Sequence, residues 1–298
     1  MGRFVNPFTD YGWKLLFGEE ASKSILIEFL NDLLEGERHV EDIKYLKTEE
    51  LPENIYGRGV IFDILCESDT GEKFIVELQN KAQLFVKERF IYYMSRAISK
   101  QGIKGKGWNF SLYPVYGIFI LNFTCPDLRP FLRSDAAYLY LDSHELFSDC
   151  SRMIFLQLPY FTKKEDECIT NLDKWFYILT RMDTLERMPW KAQKAAFEKL
   201  MERAEIANFT PEEQASYEAQ LDAYRVMNSA MARSKLDGKE EGIKEGMEKG
   251  IEKGIKQGIE KGSQLKAQEM ARRLKELGVD LDVISQSSGL SREEIEKL

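Results

Sequence analysis

The order of element types along this 298-residue chain predicts an α/β fold: a helix, three strands, a second helix, a fourth strand, then an α-helical extension. Two observations carry that prediction. Residues 60–66 (Val-Ile-Phe-Asp-Ile-Leu-Cys) and 73–79 (Lys-Phe-Ile-Val-Glu-Leu-Gln) are short apolar runs on either side of Ser68-Asp69-Thr70-Gly71, the pattern of a β-hairpin. Residues 114–123 form a near-continuous apolar run, as expected of a strand covered on both faces.

The elements follow in order. Thr9 or Asp10 caps a first helix that extends to about Leu34, with Trp13, Leu16, Phe17, Leu26, Phe29, Leu30, Leu33 and Leu34 on one stripe. Residues 40–50 supply a first strand, and the hairpin of 59–80 supplies the next two. Phe85, Phe90, Ile91, Tyr93, Met94, Ala97 and Ile98 recur at helical spacing and place a helix over 84–101. Segments 137–142 and 152–158 extend the sheet. Helical patterning resumes at 168–182, 189–207 and 211–236, with prolines where two of these helices start.

Glycines at 238, 242, 246, 250, 254, 258 and 262 then recur every fourth residue among Lys and Glu, with Ile243, Met247, Ile251, Ile255 and Ile259 in step. On a helix a four-residue period drifts by roughly 40° per repeat. Each glycine costs about 1 kcal/mol against alanine, and Glu/Lys pairs four apart return only a few tenths. Residues 237–263 therefore read as a marginal helix or spacer that orders on self-association. The tail ends one helix at Gly278 and starts another at Ser291, where Glu294 completes a capping box in a helix-turn-helix-like arrangement. The domain expectation is a core at 1–160, a helical extension at 161–236, the repeat at 237–263 and a small tail at 264–298.

Composition narrows the class. An apolar content of 43% is enough for a substantial core, and the longest apolar stretch is far too short to span a bilayer. Cys66, Cys125, Cys150 and Cys168 are scattered without a CxxC pair, which argues against a zinc site or a disulfide framework. No secretory signal is evident, so a reduced, cytoplasmic protein is the expectation. A net charge of −8 argues against a uniformly basic nucleic-acid binder. Locally the balance reverses: between Lys81 and Lys106 there are seven basic residues and one acid, Glu88.

Three polar residues interrupt the apolar strands: Asp63, Glu77 and Gln79. Side chains alternate along a strand, so Glu77 and Gln79 share a face, and the hairpin brings Asp63 near Glu77. Burying carboxylates among Ile, Val and Phe is costly unless a positive charge compensates them, and a divalent cation can do so. The alternative is an ordinary solvent-facing hairpin.

With these residues, the sequence resembles the PD-(D/E)XK nuclease superfamily, and within it the transposase-like, recombination-promoting branch. The carrying features are residues 6–18 (Asn-Pro-Phe-Thr-Asp-Tyr-Gly-Trp-Lys-Leu-Leu-Phe-Gly), Phe29-Leu30-Asn31, Asp63, Glu77-Leu78-Gln79, Arg89 and Tyr93 on the next helix, strand 114–123, the glycine–lysine repeat and the closing segment with Gly278 and Gly289-Leu290-Ser291. The resemblance implies a restriction-endonuclease-like core and a DNA endonuclease of recombination or mobile elements. It implies Asp63 and Glu77 as ligands of Mg²⁺ or Mn²⁺, helped by the Leu78 carbonyl, with Gln79 in the third catalytic position. Many superfamily members carry lysine there, although glutamine is common in this branch. An uncharged amide cannot act as a general acid or base. Lys14, Lys73 and Lys81 are candidates for the missing cation; Asp10, Glu19, Glu20 and Glu28 are candidates for a further acid on the first helix. Arg89, Arg96, Lys100 and Lys104 are the expected phosphate contacts. The competing reading keeps the fold but loses turnover, leaving a silent DNA-binding or assembly protein. A homo-oligomer through the repeat and tail is a further expectation.

Overall fold

The computed structural model describes residues 2–50, 59–103, 107–187, 189–190 and 194–298. It forms two compact units, residues 1–224 and 225–298.

In the first unit, α1 (Asp10–Trp13) is capped as the sequence predicts: Thr9 Oγ1 accepts the Gly12 N–H at 3.0 Å. The single long helix expected to Leu34 is instead built in pieces. A π-helical turn (Lys14–Gly18) leads to an extended Glu19, then a 3-10 turn (Glu20–Ser22), and only then α2 (Lys23–Leu33). Side chains satisfy the main chain that this interruption frees. The Ser22 hydroxyl and the Arg203 guanidinium both donate to the Leu15 carbonyl. Periodicity alone could not show the break, because the apolar stripe continues across it.

Strands β1 (Ile43–Tyr45), β4 (Ile64–Ser68), β5 (Lys73–Gln79), β6 (Val115–Leu121), β7 (Arg133–Leu139) and β8 (Leu146–Gln157) form one sheet in the order β1-β4-β5-β6-β8-β7. β5 and β6, and β6 and β8, run parallel; the other pairs are antiparallel. The expected strand 60–66 is divided. β3 (Val60–Ile61) pairs with β2 (Glu49–Glu50) in a separate ladder, and the chain bends at Asp63 before β4 begins. Within the expected run 114–123, residues 115–121 form β6, and every member of that strand is buried.

Alternation sorts the side chains onto two faces. Ile64, Cys66, Phe74, Val76, Leu78, Ile118 and Ile120 face a core built with α2, α4 (Asn171–Arg181) and α5 (Ala195–Ala204). There Trp175 packs against Phe17, Phe29 and Phe197, and its indole N–H donates to Asp32 at 2.8 Å. The helices α4 and α5 thus complete the sheet's core on this face. Leu65, Ile75, Phe119 and Phe155 occupy the other face under α3 (Val86–Ser99), whose Phe90 stacks on Phe119 with ring centroids 3.8 Å apart. Gly117 permits this approach, since a Cβ there would lie 2.6 Å from the Met94 sulfur. Asp63, Glu77 and Gln79 belong to this α3 face by register.

Helix α6 (Pro211–Glu276) begins with Tyr217 and Leu221 buried in the first unit and continues without interruption through the glycine repeat. Its end packs with α7 (Leu281–Ser288) and α8 (Arg292–Glu296) around Ala271, Ile284, Leu290 and Ile295. The capping box expected at Ser291 and Glu294 is formed. All four cysteines are free. Among the described residues no helix is long and apolar enough to cross a membrane.

Candidate functional site

The opening motif is a folded turn. Asn6 Oδ1 accepts the Phe8 N–H at 2.8 Å, its amide donates to Asp183, and its own N–H donates to the Tyr217 hydroxyl at 2.8 Å. The Thr9 hydroxyl donates to the Asn6 carbonyl while capping α1. Gly12 is required by this closure, because a Cβ would lie 2.3 Å from the Asn6 carbonyl oxygen. The Asn80 side chain donates to the Phe8 carbonyl at 2.6 Å, which fastens the turn to the end of β5. Asp10 and Lys14, themselves 3.0 Å apart, are thereby set beside the hairpin.

Asp63 and Glu77 meet at the bend where β4 begins. The Asp63 N–H donates to Glu77 Oε1 at 2.9 Å, and Asp63 Oδ2 accepts the Leu78 N–H at 2.8 Å. Glu77 is almost fully buried and Asp63 partly so. Burial pushes the Glu77 carboxyl well above the ordinary carboxylate range, and the nearby Asp63 charge pushes it further; the Asp63 N–H, Arg89 and the Gln79 amide oppose that rise. Asp63 is also raised, by burial and then by Asp10, against the Leu78 N–H, Lys14 and Arg89. The two acids thus sit side by side where the nearby positive charge offsets their burial only in part.

The remaining expected residues divide. Gln79 engages Glu77, its partner on the same face. Arg89 acts on both carboxylates and is held by Tyr93, whose hydroxyl accepts from Nε at 3.0 Å and from a terminal nitrogen at 2.9 Å. Arg96 lies two turns further along α3, partly buried, and Lys100 is exposed at its C-cap. Lys104 lies outside the described residues. Of the three lysines weighed as the missing cation, Lys14 acts on Asp63, Lys73 sits at the far end of β5 beside Glu67, and Lys81 is exposed. Of the first-helix acids, Asp10 acts on Asp63, whereas Glu19, Glu20 and Glu28 pair with Arg203, Lys23 and Lys194.

A cavity of about 420 Å³ lies elsewhere, at the opposite end of β6 on the other face. Its cations are already engaged: Arg38 with Tyr116 and Asp149, and Arg152 with Glu37 and Asp135. It is lined by charged groups that neutralise one another.

The family model described as PD-(D/E)XK nuclease family transposase matches residues 7–234. The chain belongs to that family. No curated protein and no solved structure matches it. As a PD-(D/E)XK nuclease family transposase it has a restriction-endonuclease-like fold and a nuclease- or transposase-related role.

The donor set of this family member suits a hard dication. Each carboxylate accepts a peptide N–H through one oxygen, Glu77 from Asp63 and Asp63 from Leu78, which orients the pair. Among the described residues no group of three or more His, Cys, Asp or Glu gathers around a single point. A magnesium-sized ion bound by two carboxylates would complete its shell with water, main-chain oxygen or phosphate. Sequence reasoning overlooked Asn80 and Asn122. Asn122 donates its N–H to the Gln79 carbonyl at 2.9 Å, and its side-chain amide donates to Asn80 and to the Tyr224 hydroxyl. Asn80 directly follows Glu77-Leu78-Gln79, a polar extension that could have drawn attention to it.

Proposed function

We propose that this protein is a metal-dependent DNA endonuclease acting in recombination or mobile-element movement. The observation that carries the reading is the mutual clasp of Asp63 and Glu77 on the α3 face. A bound Mg²⁺ or Mn²⁺ would shield phosphate charge, lower the pKa of an attacking water and stabilise the leaving oxygen. Asp63 and Glu77 would hold it. Arg89, fixed by Tyr93, would face the phosphate, with Lys100 and the basic segment that follows α3 in the sequence contacting the backbone further along. Gln79 would orient Glu77 and an adjacent water without moving a proton. Lys14 would supply the cation that position 79 lacks.

Gln79 also supports a second reading, a DNA-binding or assembly protein without turnover, because its amide is engaged on Glu77 and brings no charge. Supercoiled plasmid incubated with the purified protein and Mg²⁺ or Mn²⁺ separates the two. Nicking that is lost in Asp63→Ala and Glu77→Ala, with DNA binding retained, supports the endonuclease. Binding without nicks under either metal favours the silent protein, and wild-type nicking by both variants rejects the site.

A further inference from the structure

The segment joining β5 to α3 ends in two apolar side chains that the fold leaves bare. Spacing sets Phe85 on the apolar stripe of a helix over 84–101, but α3 begins at Val86. Leu84 and Phe85 stand outside it, 86% and 70% exposed. Phe85 also lies in the left-handed region, with φ 60° and ψ 39°. A residue of its size adopts that conformation at a cost that glycine avoids. Its side chain neither caps the helix nor packs into the core, so the fold recovers little from the strain. Strained residues of this kind cluster where a ligand uses them.

The projection has a fixed base next to the acids. At its start Asn80 donates to the Phe8 carbonyl. At its end the Gln83 side chain accepts from Arg89, and the Arg89 N–H donates to the Phe85 carbonyl at 3.0 Å. Arg89 in turn acts on Asp63 and Glu77. Phe85 is therefore carried one helical turn from the guanidinium that would face a phosphate. The charge around it is basic: residues 81–89 hold Lys81, Lys87 and Arg89 against Glu88, and both lysines are exposed. An apolar tip flanked by cations suits a nucleobase between its phosphates better than it suits the apolar surface of a protein.

We infer that Leu84 and Phe85 form a wedge that enters a base step of duplex DNA beside the phosphate that Arg89 faces. The inference rests on the DNA endonuclease reading of the site. The ring replaces base–base stacking with base–ring stacking, so the preferred step is one that unstacks easily, a pyrimidine followed by a purine or a mismatch.

The full chain, bound in Ca²⁺ to a duplex carrying 2-aminopurine at its TA steps, should brighten the probe several-fold. Leu84→Ala with Phe85→Ala should lose most of that rise while retaining phosphate-driven binding. The same double variant should nick paired DNA in Mg²⁺ about tenfold more slowly. A mismatch at the step is already unstacked and should bring its nicking back to within about twofold of wild type. Phe85→Gly should raise Tm by about 2 °C, because it relieves the backbone while removing the ring.

The fluorescence rise needs no turnover, so a rise without nicking supports the wedge and rejects only the endonuclease. A wild-type complex that stays dark overturns the wedge and leaves the nuclease site standing. Equal brightening by the double variant overturns it too, and marks the pair as a contact for another protein. A lower Tm in Phe85→Gly, or slow nicking that the mismatch does not restore, assigns the pair a structural role and also overturns the wedge. Failure of the wild type to bind DNA overturns both the wedge and the reading beneath it.

Discussion

The backbone N–H of Asp63 donates to Glu77 Oε1 across the hairpin at 2.9 Å, so each acid is positioned partly by the other's strand. This contact links the bend before β4 to the middle of β5 and turns two residues fourteen apart into one acidic centre. Three predictions concern that centre and its supports, and a fourth concerns the packing of α3 on β6.

Stability should depend on pH and on metal. Glu77 and Asp63 both titrate above their ordinary values in the folded protein, chiefly through burial. The folded state therefore binds protons more tightly than the unfolded chain. Stability is fully present below the unfolded values and declines as pH rises through the raised folded ones. In EDTA, Tm should fall as pH rises above the ordinary carboxylate range, and Glu77→Gln should flatten that fall. Mg²⁺ should restore wild-type Tm at the alkaline end but not that of Asp63→Asn. A metal-free Tm that does not change over that rise would contradict the raised carboxyl values.

Lys14 should matter to turnover more than to binding. It lies 3.0 Å from Asp10 and acts on Asp63. Lys14→Met should lower the single-turnover nicking rate on the order of a hundredfold with little change in DNA affinity. Gln79→Lys placed in that background should recover part of the loss. An unaffected rate in Lys14→Met would leave the cation's source elsewhere.

Arg89 and Lys100 should separate in their effects. Both are expected to lower the slope of log affinity against log salt by about 0.9 on substitution with alanine, as loss of one phosphate contact requires. Only Arg89→Ala should also impair cutting at saturating DNA, because Arg89 acts on both carboxylates. Equal effects on cutting would place Arg89 among general backbone contacts.

Gly117→Ala should destabilise the core without touching the site. The added methyl would lie 2.6 Å from the Met94 sulfur and 2.7 Å from the Phe119 ring. Overpacking of this kind costs about 1–3 kcal/mol, read as a lower urea midpoint with unchanged m. An unchanged midpoint would mean that α3 can move away from β6 freely.

Much of the fold is legible in the pattern of residues. The apolar run of β6, the hairpin turn at Ser68–Gly71, the Thr9 cap and the Ser291/Glu294 box depend on local chemistry, and all are formed. Strand alternation likewise placed Glu77 and Gln79 on one face. Less visible were the interruptions: the π-helical turn before Gly18, and the bend at Asp63 that divides 60–66 between two ladders. Both leave the apolar periodicity intact, and both depend on partners far along the chain, such as Arg203 for the first and the β2 pairing for the second.

The sequence by itself determined which residue types could meet: an acid in each hairpin strand, an amide two residues on, a capped first helix and a glycine at every fourth position of the repeat. Those follow from spacing, because side-chain direction along a strand or helix is set by neighbours in the chain. Only the tertiary structure decided which distant groups join them. Asn80 fastens the Asn6–Gly12 turn to the end of β5, and that bond brings Lys14 and Asp10, rather than Lys73 or Glu28, under the influence of Asp63. Such choices depend on how helices and sheet pack, and packing brings together residues whose separation in sequence carries no trace of it.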